Sequence, residues 1–201
     1  IKLVLSVIIF FSFKILFAQE SVHSAGPIPK LKLETTPAIV NASYNPSSVA
    51  YGYESQSTTT ISMPIPGGTP FTALGSFTLP GNSYASSMIK GGNDNYYLIT
   101  TEPALYQFNP IYGSVILLGN ITGLQPPDQP NGIAYNSTNG NFYLAAGNIN
   151  PQSDRIYLFD VNTRVATLIG STGTGGLQID LGITISGICY SYDVITNNAY
   201  T

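Results

Sequence analysis

The sequence predicts an all-β protein built from repeated units of four short antiparallel strands. Three observations predict it. Short runs of β-branched and aromatic residues recur between turn clusters, apolar residues after position 18 show no helical spacing, and similar segments return about every 50 residues. With 43% hydrophobic and only 8% charged residues, the chain is too apolar to stay disordered.

The repeat is clearest in the third and fourth strands of each unit. The segment Leu105-Tyr-Gln-Phe-Asn109 returns as Ile156-Tyr-Leu-Phe-Asp160. The first segment is followed by a Leu-Gly pair that ends at Gly119. The second is followed at the same distance by an Ile-Gly pair that ends at Gly170, so the two pairs are 51 residues apart. An earlier Leu-Gly pair ends at Gly75. We predict that these pairs close the fourth strand of successive units.

The first two strands of each unit carry a second shared pattern. Asn131-Gly-Ile-Ala-Tyr135 leads through Asn139-Gly140, a strong hairpin signal, to Asn141-Phe-Tyr-Leu144. The pattern returns at 186–201, beginning with Ser186-Gly-Ile-Cys-Tyr190, and more loosely at 87–98. Four short strands per repeat of this length are the blade of a β-propeller.

The chain resembles the secreted bacterial β-propeller repeat proteins of the quinoprotein-like, NHL and YVTN group. The resemblance lies in the Tyr-x-Phe-Asp … Leu-Ile-Gly pattern at 157–170 and the Gly-Ile-Ala-Tyr … Asn-Phe-Tyr pattern at 132–143. It implies a propeller that closes with roughly 4–8 blades, but no single function, because the group includes adhesins, scaffolds, lyases and cofactor enzymes. We expect an incomplete propeller over 36–201, with blades at about 36–81, 87–124 and 131–173 and an unfinished one at 186–201.

The two ends of the chain suggest export and incompleteness. Residues 1–18 combine Lys2 with an apolar run too short to span a bilayer comfortably, which predicts a signal peptide cleaved after Ala18. The ending Leu-Phe-Ala-Gln resembles signal peptides of Bacteroidetes-type secreted proteins. A linker is expected over 19–35 and no stable transmembrane segment after cleavage. Because the chain lacks an initial Met and stops within a predicted strand, we expect a fragment with further blades after residue 201.

Charge and residue counts exclude several kinds of function. Cleavage would remove Lys2 and Lys14, which leaves five basic and ten acidic residues, and such an acidic chain does not suit nucleic acid. The single histidine, His23, lies in the linker, so no Ser-His-Asp or histidine-base chemistry is supported here. Cys189 is expected to be a structural thiol, and Asp128 to lie on a loop surface.

Three aspartates are weak candidates for calcium ligands: Asp94, Asp154 and Asp160. No segment matches a complete calcium loop with its terminal glutamate. Asp160 and Asn109 occupy the same place in two repeats, which is more typical of a turn-forming side chain. We therefore expect no catalytic residue, no cofactor and no metal in this segment, with calcium as the alternative.

The leading functional hypothesis is a secreted or cell-surface binding, adhesion or scaffold module for an extracellular protein or glycan. Its contact surface is expected on the loops at 147–155 and 171–185 and on exposed aromatic residues, because loops carry function more often than strands. The named candidates are Tyr84, Tyr112, Asn150, Asp154 and Gln178. The alternative is a propeller enzyme, of lyase, hydrolase or quinone-dependent type, whose catalytic residues lie in further blades.

Overall fold

The computed structural model describes residues 49–54, 58–64, 72–81 and 83–201. Within these residues it contains strands, turns and bends but no helix, so the all-β prediction is confirmed. Accordingly, no helix of the described part is long and apolar enough to cross a membrane. The predicted signal peptide, its helix, the linker and the first residues of the first blade lie outside the described residues.

The strands form four antiparallel sheets in which neighbours in sequence are neighbours in space, which is the meander of a propeller blade. The first sheet holds β1 (Val49–Glu54), β2 (Thr59–Pro64) and β3 (Thr72–Ser76). The second holds β4 (Ala85–Lys90), β5 (Tyr96–Thr100), β6 (Ala104–Asn109) and β7 (Ser114–Asn120). The third holds β8 (Gln129–Asn136), β9 (Asn141–Ile149), β10 (Gln152–Asp160) and β11 (Val165–Ser171). The fourth holds β12 (Gln178–Ile183), β13 (Cys189–Asp193) and β14 (Asn198–Tyr200).

The first strands of the later sheets lie together on the inside. Strand β8 packs against both β4 and β12, and the Ser87 hydroxyl of β4 donates to Asp180 Oδ1 of β12 over 3.4 Å. Strands β7 and β11 form the opposite edges of their sheets. The second, third and fourth sheets therefore radiate from a common inner line, and the fold is that of antiparallel β-propeller blades.

Each repeated Leu-Gly or Ile-Gly pair marks a β-bulge. In the second sheet Leu105 faces Gly119 and Tyr106 faces Leu117, so Leu118 is an extra residue. The registers at Gly75 and Gly170 shift in the same way. Gly119 has φ 141°, a backbone conformation that favours glycine. The sequence repeat thus encodes the same bulge in three sheets.

The interpretation of Asn109 and Asp160 as turn formers is confirmed. Asn109 Oδ1 accepts the N–H groups of Ile111 and Tyr112 at 3.0 and 3.2 Å. Asp160 Oδ1 accepts the N–H group of Asn162 at 2.8 Å. In both hairpins the side chain closes a turn on its own backbone, as Asn and Asp commonly do.

The core fills the spaces between neighbouring sheets. The largest cluster joins the second and third sheets, and Tyr157 and Phe159 of β10 are buried in it. On the other face Ile156 packs against the third cluster, while Leu158 remains 39% exposed. That third cluster, between the third and fourth sheets, has only three buried members, Ala134, Ala145 and Leu181. The last interface described is therefore the thinnest.

The fourth sheet begins at Gln178 rather than at Ser186, which corrects the strand placement predicted from the repeat. Each inner strand carries one extra residue at its bulge, namely Ser86, Asn131 or Ile179, so β12 corresponds to β4 and β8. Gly187 lies in the β12–β13 turn with φ 81°. The Gly-Ile-x-Tyr pattern therefore leads into a second strand here, and the predicted loop at 171–185 contains β12.

Candidate ligand-binding cleft

The inner strands border an open cleft of about 1060 Å³. Its walls come from β4, β8, β12 and β13 and from the turns that follow β4 and β8. This size matches the upper end of the range typical of ligand sites. The cleft arises because β4, β8 and β12 lie next to one another along the inside of their sheets. It is the candidate functional site that the fold itself creates.

Aromatic and polar groups lie side by side on the cleft walls. Tyr190 and Tyr192 line it from β13 and are each about 40% exposed, at 40% and 39%. At the rim, Lys90 Nζ lies 2.7 Å from Asp94 Oδ1 in an exposed ion pair. Such a surface pair contributes little to stability, roughly 0–1 kcal/mol.

Asp180 is the carboxylate inside the cleft. Its Oδ1 accepts the N–H group of Leu181 at 2.9 Å and the Ser87 hydroxyl at 3.4 Å. Burial raises the pKa of Tyr53 in the first sheet well above its usual range, and the charge of Asp180 adds to this rise. Asp180 thus joins β4 to β12 and faces the cleft.

A close backbone approach shapes one wall of the cleft. A Cβ atom at Gly92 would lie 2.1 Å from the Tyr135 hydroxyl, so only glycine leaves room for this side chain. The Tyr135 ring packs in turn on Phe142, with ring centroids 4.8 Å apart. The turn after β4 therefore holds Tyr135 in position, and Tyr135 lines the cleft.

Three residues predicted for a binding surface are exposed but lie away from the cleft. Tyr84 is 68% exposed just before β4, and Tyr112 is 75% exposed in the β6–β7 hairpin. Asn150 is exposed in the β9–β10 turn, where its N–H group donates to Asn148 Oδ1. None of the three lines the cleft. Their role in binding stays a prediction.

The other two predicted surface residues, Asp154 and Gln178, are buried, which corrects their assignment. Asp154 Oδ1 accepts the Ser171 hydroxyl at 2.5 Å, and Oδ2 accepts the Thr172 hydroxyl at 2.5 Å. Burial alone would raise the pKa of Asp154, but these hydrogen bonds and those of Thr174 outweigh it and hold the pKa below its usual value. Gln178 is only 1% exposed, at the start of β12.

The weak metal candidates have different partners in the structure. Asp94 pairs with Lys90, and Asp160 closes its hairpin turn. Among the described residues, no group of three or more His, Cys, Asp or Glu side chains could hold a metal ion. Each of the three aspartates binds its own partners, and the structure does not bring Asp94, Asp154 and Asp160 together as one set of ligands.

Asp128 is buried, so the expectation that it lies on a loop surface is wrong. Its Oδ1 accepts the Ser153 hydroxyl and the Arg155 guanidinium, each at 2.6 Å, and Oδ2 accepts the Tyr157 hydroxyl at 2.6 Å. Burial, followed by the hydrogen bond to Asp128, raises the pKa of Tyr157. The Pro-rich segment before β8 is thereby fastened to β10.

Sequence reasoning missed Asp193, whose side chain is fully buried. Its Oδ1 accepts the N–H groups of Leu177, Ile195 and Thr196 at 3.1, 2.8 and 3.1 Å. The signal that could have found it is its place five residues before the next strand, which matches Asp160. Cys189 on β13 is a free, half-buried thiol whose pKa is raised by burial.

Comparison with solved structures supports the fold. The chain is similar to selenomethionine-substituted virginiamycin B lyase from Staphylococcus aureus, with a TM-score of 0.51 and 11% identity over 78% of this chain and 49% of that one. It is also similar to a protein of unknown function from Bacteroides thetaiotaomicron, with a TM-score of 0.56 and 15% identity over 75% of this chain and 43% of that one. Both are propeller-like. At such low identity the likeness concerns the fold alone.

The chain spans about half or less of the length of these two solved structures. No protein-family model matches the sequence, and no curated protein matches it either.

Proposed function

We propose that this chain is part of a secreted or cell-surface β-propeller that binds an extracellular glycan in the cleft between its inner strands. The observation that carries the proposal is the cleft of about 1060 Å³, with half-exposed Tyr190 and Tyr192 beside charged and carboxylate groups. A sugar ring has an apolar face that packs on an aromatic ring and hydroxyl groups that donate to carboxylates.

The shape of the cleft favours a glycan over a protein as the ligand. Stable protein–protein contacts bury about 800 Å² of surface on each partner and usually need a broad face. A concave site lined by apolar groups and a few polar ones is instead typical of small ligands. The charged groups on its walls are Lys90, Asp94 and Asp180. The protein ligand of the original hypothesis is therefore the weaker candidate.

Secretion rests on the predicted signal peptide at 1–18, and the enzyme alternative rests on residues in further blades. Both stay predictions. The first is tested by expressing the chain in a bacterial host and measuring the mass of the exported protein. Cleavage after Ala18 leaves a product that starts at Gln19, and retention of residues 1–18 would contradict export by this route.

The binding proposal is tested by screening the full chain on a glycan array and measuring the hits by isothermal titration calorimetry. We expect Tyr190→Ala and Tyr192→Ala each to weaken binding by about fivefold, since loss of one stacked ring is worth on the order of 1 kcal/mol. Tyr112→Ala is the matched control, because Tyr112 is exposed on an outer hairpin. The proposal fails if no glycan binds, or if the Tyr112 variant weakens binding as much as the cleft variants.

A further inference from the structure

A second polar site, separate from the cleft, lies between the third and fourth sheets around Thr174. The Thr174 hydroxyl oxygen lies 3.0 Å from Asp154 Oδ2 and 3.2 Å from Asp193 Oδ2. Asp154 comes from β10 and Asp193 from the end of β13. Both carboxyl groups are buried. Two negative charges therefore meet at one hydroxyl group inside an interface.

The single proton of the Thr174 hydroxyl cannot satisfy both carboxylates. If it bonds Asp154, then the contact with Asp193 Oδ2 joins two acceptors, and the reverse holds for Asp193. The ion pairs of the described residues join Lys90 to Asp94 and Arg155 to Asp128, so neither Asp154 nor Asp193 has a cationic partner there. Buried charges are normally paired or coordinate a metal ion.

Gln178 provides an independent observation at the same place. Its Nε2 donates to the Thr174 hydroxyl at 2.9 Å and to Asp193 Oδ2 at 3.4 Å, so the amide group enters the cluster. Its Oε1 is buried and has no hydrogen-bond partner among the described residues. A buried acceptor without a donor costs about 1–3 kcal/mol, and such groups in a native protein point to an unseen partner.

The preceding interface shows that the blade fold does not need these polar groups. The sheet registers show which residues of the second and third sheets occupy the positions of Asp154, Asp193 and Gln178. These residues are, in the same order, Pro103, Ala146 and Pro130, and all three are nonpolar. The carboxylates are therefore specific to one interface and not a part of the repeated scaffold.

We propose that Asp154, Asp193, Gln178 and Thr174 form a calcium site that joins the third and fourth sheets. Ca²⁺ takes 6–8 oxygen ligands from carboxylates, amide carbonyls, hydroxyls, backbone carbonyls and water, in flexible geometry. Asp193 Oδ2 is well placed, because Oδ1 of the same carboxylate already accepts three N–H groups. Binding requires the Gln178 amide to turn by 180°, which places Oε1 where Nε2 lies, 2.9 Å from the Thr174 hydroxyl and 3.4 Å from Asp193 Oδ2. The ion then neutralises the two charges and gives Gln178 Oε1 a partner.

The test compares the full chain in CaCl₂ with the same chain in EGTA. We expect heat of binding in a CaCl₂ titration, and a rise of the unfolding midpoint by roughly 5–10 °C when free Ca²⁺ is about 100-fold above Kd. MgCl₂ should give a smaller rise, because Mg²⁺ demands stricter geometry and dehydrates reluctantly. Equal midpoints in CaCl₂ and EGTA, with no heat of binding, would overturn the proposal.

Two variants and one matched control locate the site. Asp193→Asn should abolish the calcium-dependent rise, whereas Asp160→Asn, the matched change at an exposed turn of the same kind, should preserve it. Gln178→Glu adds a third carboxylate, so it should lower the midpoint in EGTA and tighten calcium binding by about tenfold. The proposal is overturned if Asp193→Asn keeps the rise, or if Gln178→Glu destabilises the chain equally in both buffers.

Discussion

Replacing Tyr157 by Phe tests the polar network that fastens the Pro-rich segment to β10. Tyr157 is fully buried in the largest core cluster. Its hydroxyl donates to Asp128 Oδ2 at 2.6 Å and accepts the Gln125 N–H group at 3.1 Å. Phenylalanine fills the same space, so the change removes two hydrogen bonds without opening a cavity of note.

The expected loss of stability follows from these two bonds. A hydrogen bond to a charged group contributes about 1.5–3 kcal/mol, and Asp128 keeps only its bonds to Ser153 and Arg155. Gln125 is exposed, so water can replace the hydroxyl as acceptor and this bond adds little. We expect a loss of about 2–3 kcal/mol, which lowers the unfolding midpoint by roughly 5–10 °C in a domain of this size.

Urea unfolding followed by circular dichroism measures the change, with Tyr112→Phe as the matched control at an exposed tyrosine. The control should stay within about 0.5 kcal/mol of the parent. The pH dependence of the free energy of unfolding at alkaline pH gives a second readout. The pKa of Tyr157 is raised in the folded chain. The contribution of its hydroxyl to the free energy of unfolding is therefore complete below about pH 10, the pKa of an unfolded tyrosine, and is lost as the pH rises beyond it. A Tyr157→Phe variant as stable as the Tyr112 control would refute the reasoning.

Three further predictions concern the wall of the cleft, the stability of the chain at acid pH and the reactivity of the Cys189 thiol. Gly92→Ala should displace Tyr135 and lower the free energy of unfolding by about 1–3 kcal/mol in thermal unfolding, because the new Cβ would lie 2.1 Å from the Tyr135 hydroxyl. Gly182→Ala, also on the cleft, is the control and should be neutral, because its Cβ would meet no described atom within 4 Å. The pKa of Asp154 is lowered, so its contribution to the free energy of unfolding is present above about pH 4 and is lost as the pH falls below it. In urea unfolding, the stability of Asp154→Asn should therefore fall less steeply at acid pH than that of the parent, and an equal fall would contradict this. Cys189, half-buried with a raised pKa, should react with a thiol reagent at pH 8 several-fold more slowly than in urea, and equal rates would contradict its burial.

The strands and the repeated Leu-Gly or Ile-Gly pairs could be recognised because their signals are local, although a bulge at each pair was not predicted. A Leu-Gly or Ile-Gly pair specifies its own bulge, as Gly119 does with a φ that few other residues adopt. Asn109 and Asp160 bond the backbone two residues on, so each turn is encoded within a few positions. Such features follow from residue type and spacing, without knowledge of the distant chain.

The burial of polar residues could not be predicted in the same way. Asp128 stands in Gln-Pro-Pro-Asp-Gln-Pro, a composition typical of surface loops, yet its partners Ser153 and Tyr157 lie 25 and 29 residues away. Gln178 likewise meets Asp193 across a sheet register that carries a bulge. The fourth sheet was misplaced for another reason, because the Gly-Ile-x-Tyr pattern fits a first or a second strand equally well.

The repeat explains the scaffold, and departures from the repeat indicate where function lies. At the bulge of each inner strand the same register position holds Ser87, Gly132 or Asp180, so equivalent backbone presents a hydroxyl, no side chain or a carboxylate near the cleft. Glycine is needed in the middle position because a Cβ there would lie 2.9 Å from the backbone of Asp180. The close approach of β8 and β12 thus brings a charged group to the inner line of the propeller. Since packing of the blades alone would be served by nonpolar residues, the polar exceptions at Asp180 and at the Thr174 cluster are the positions where ligand chemistry is to be sought.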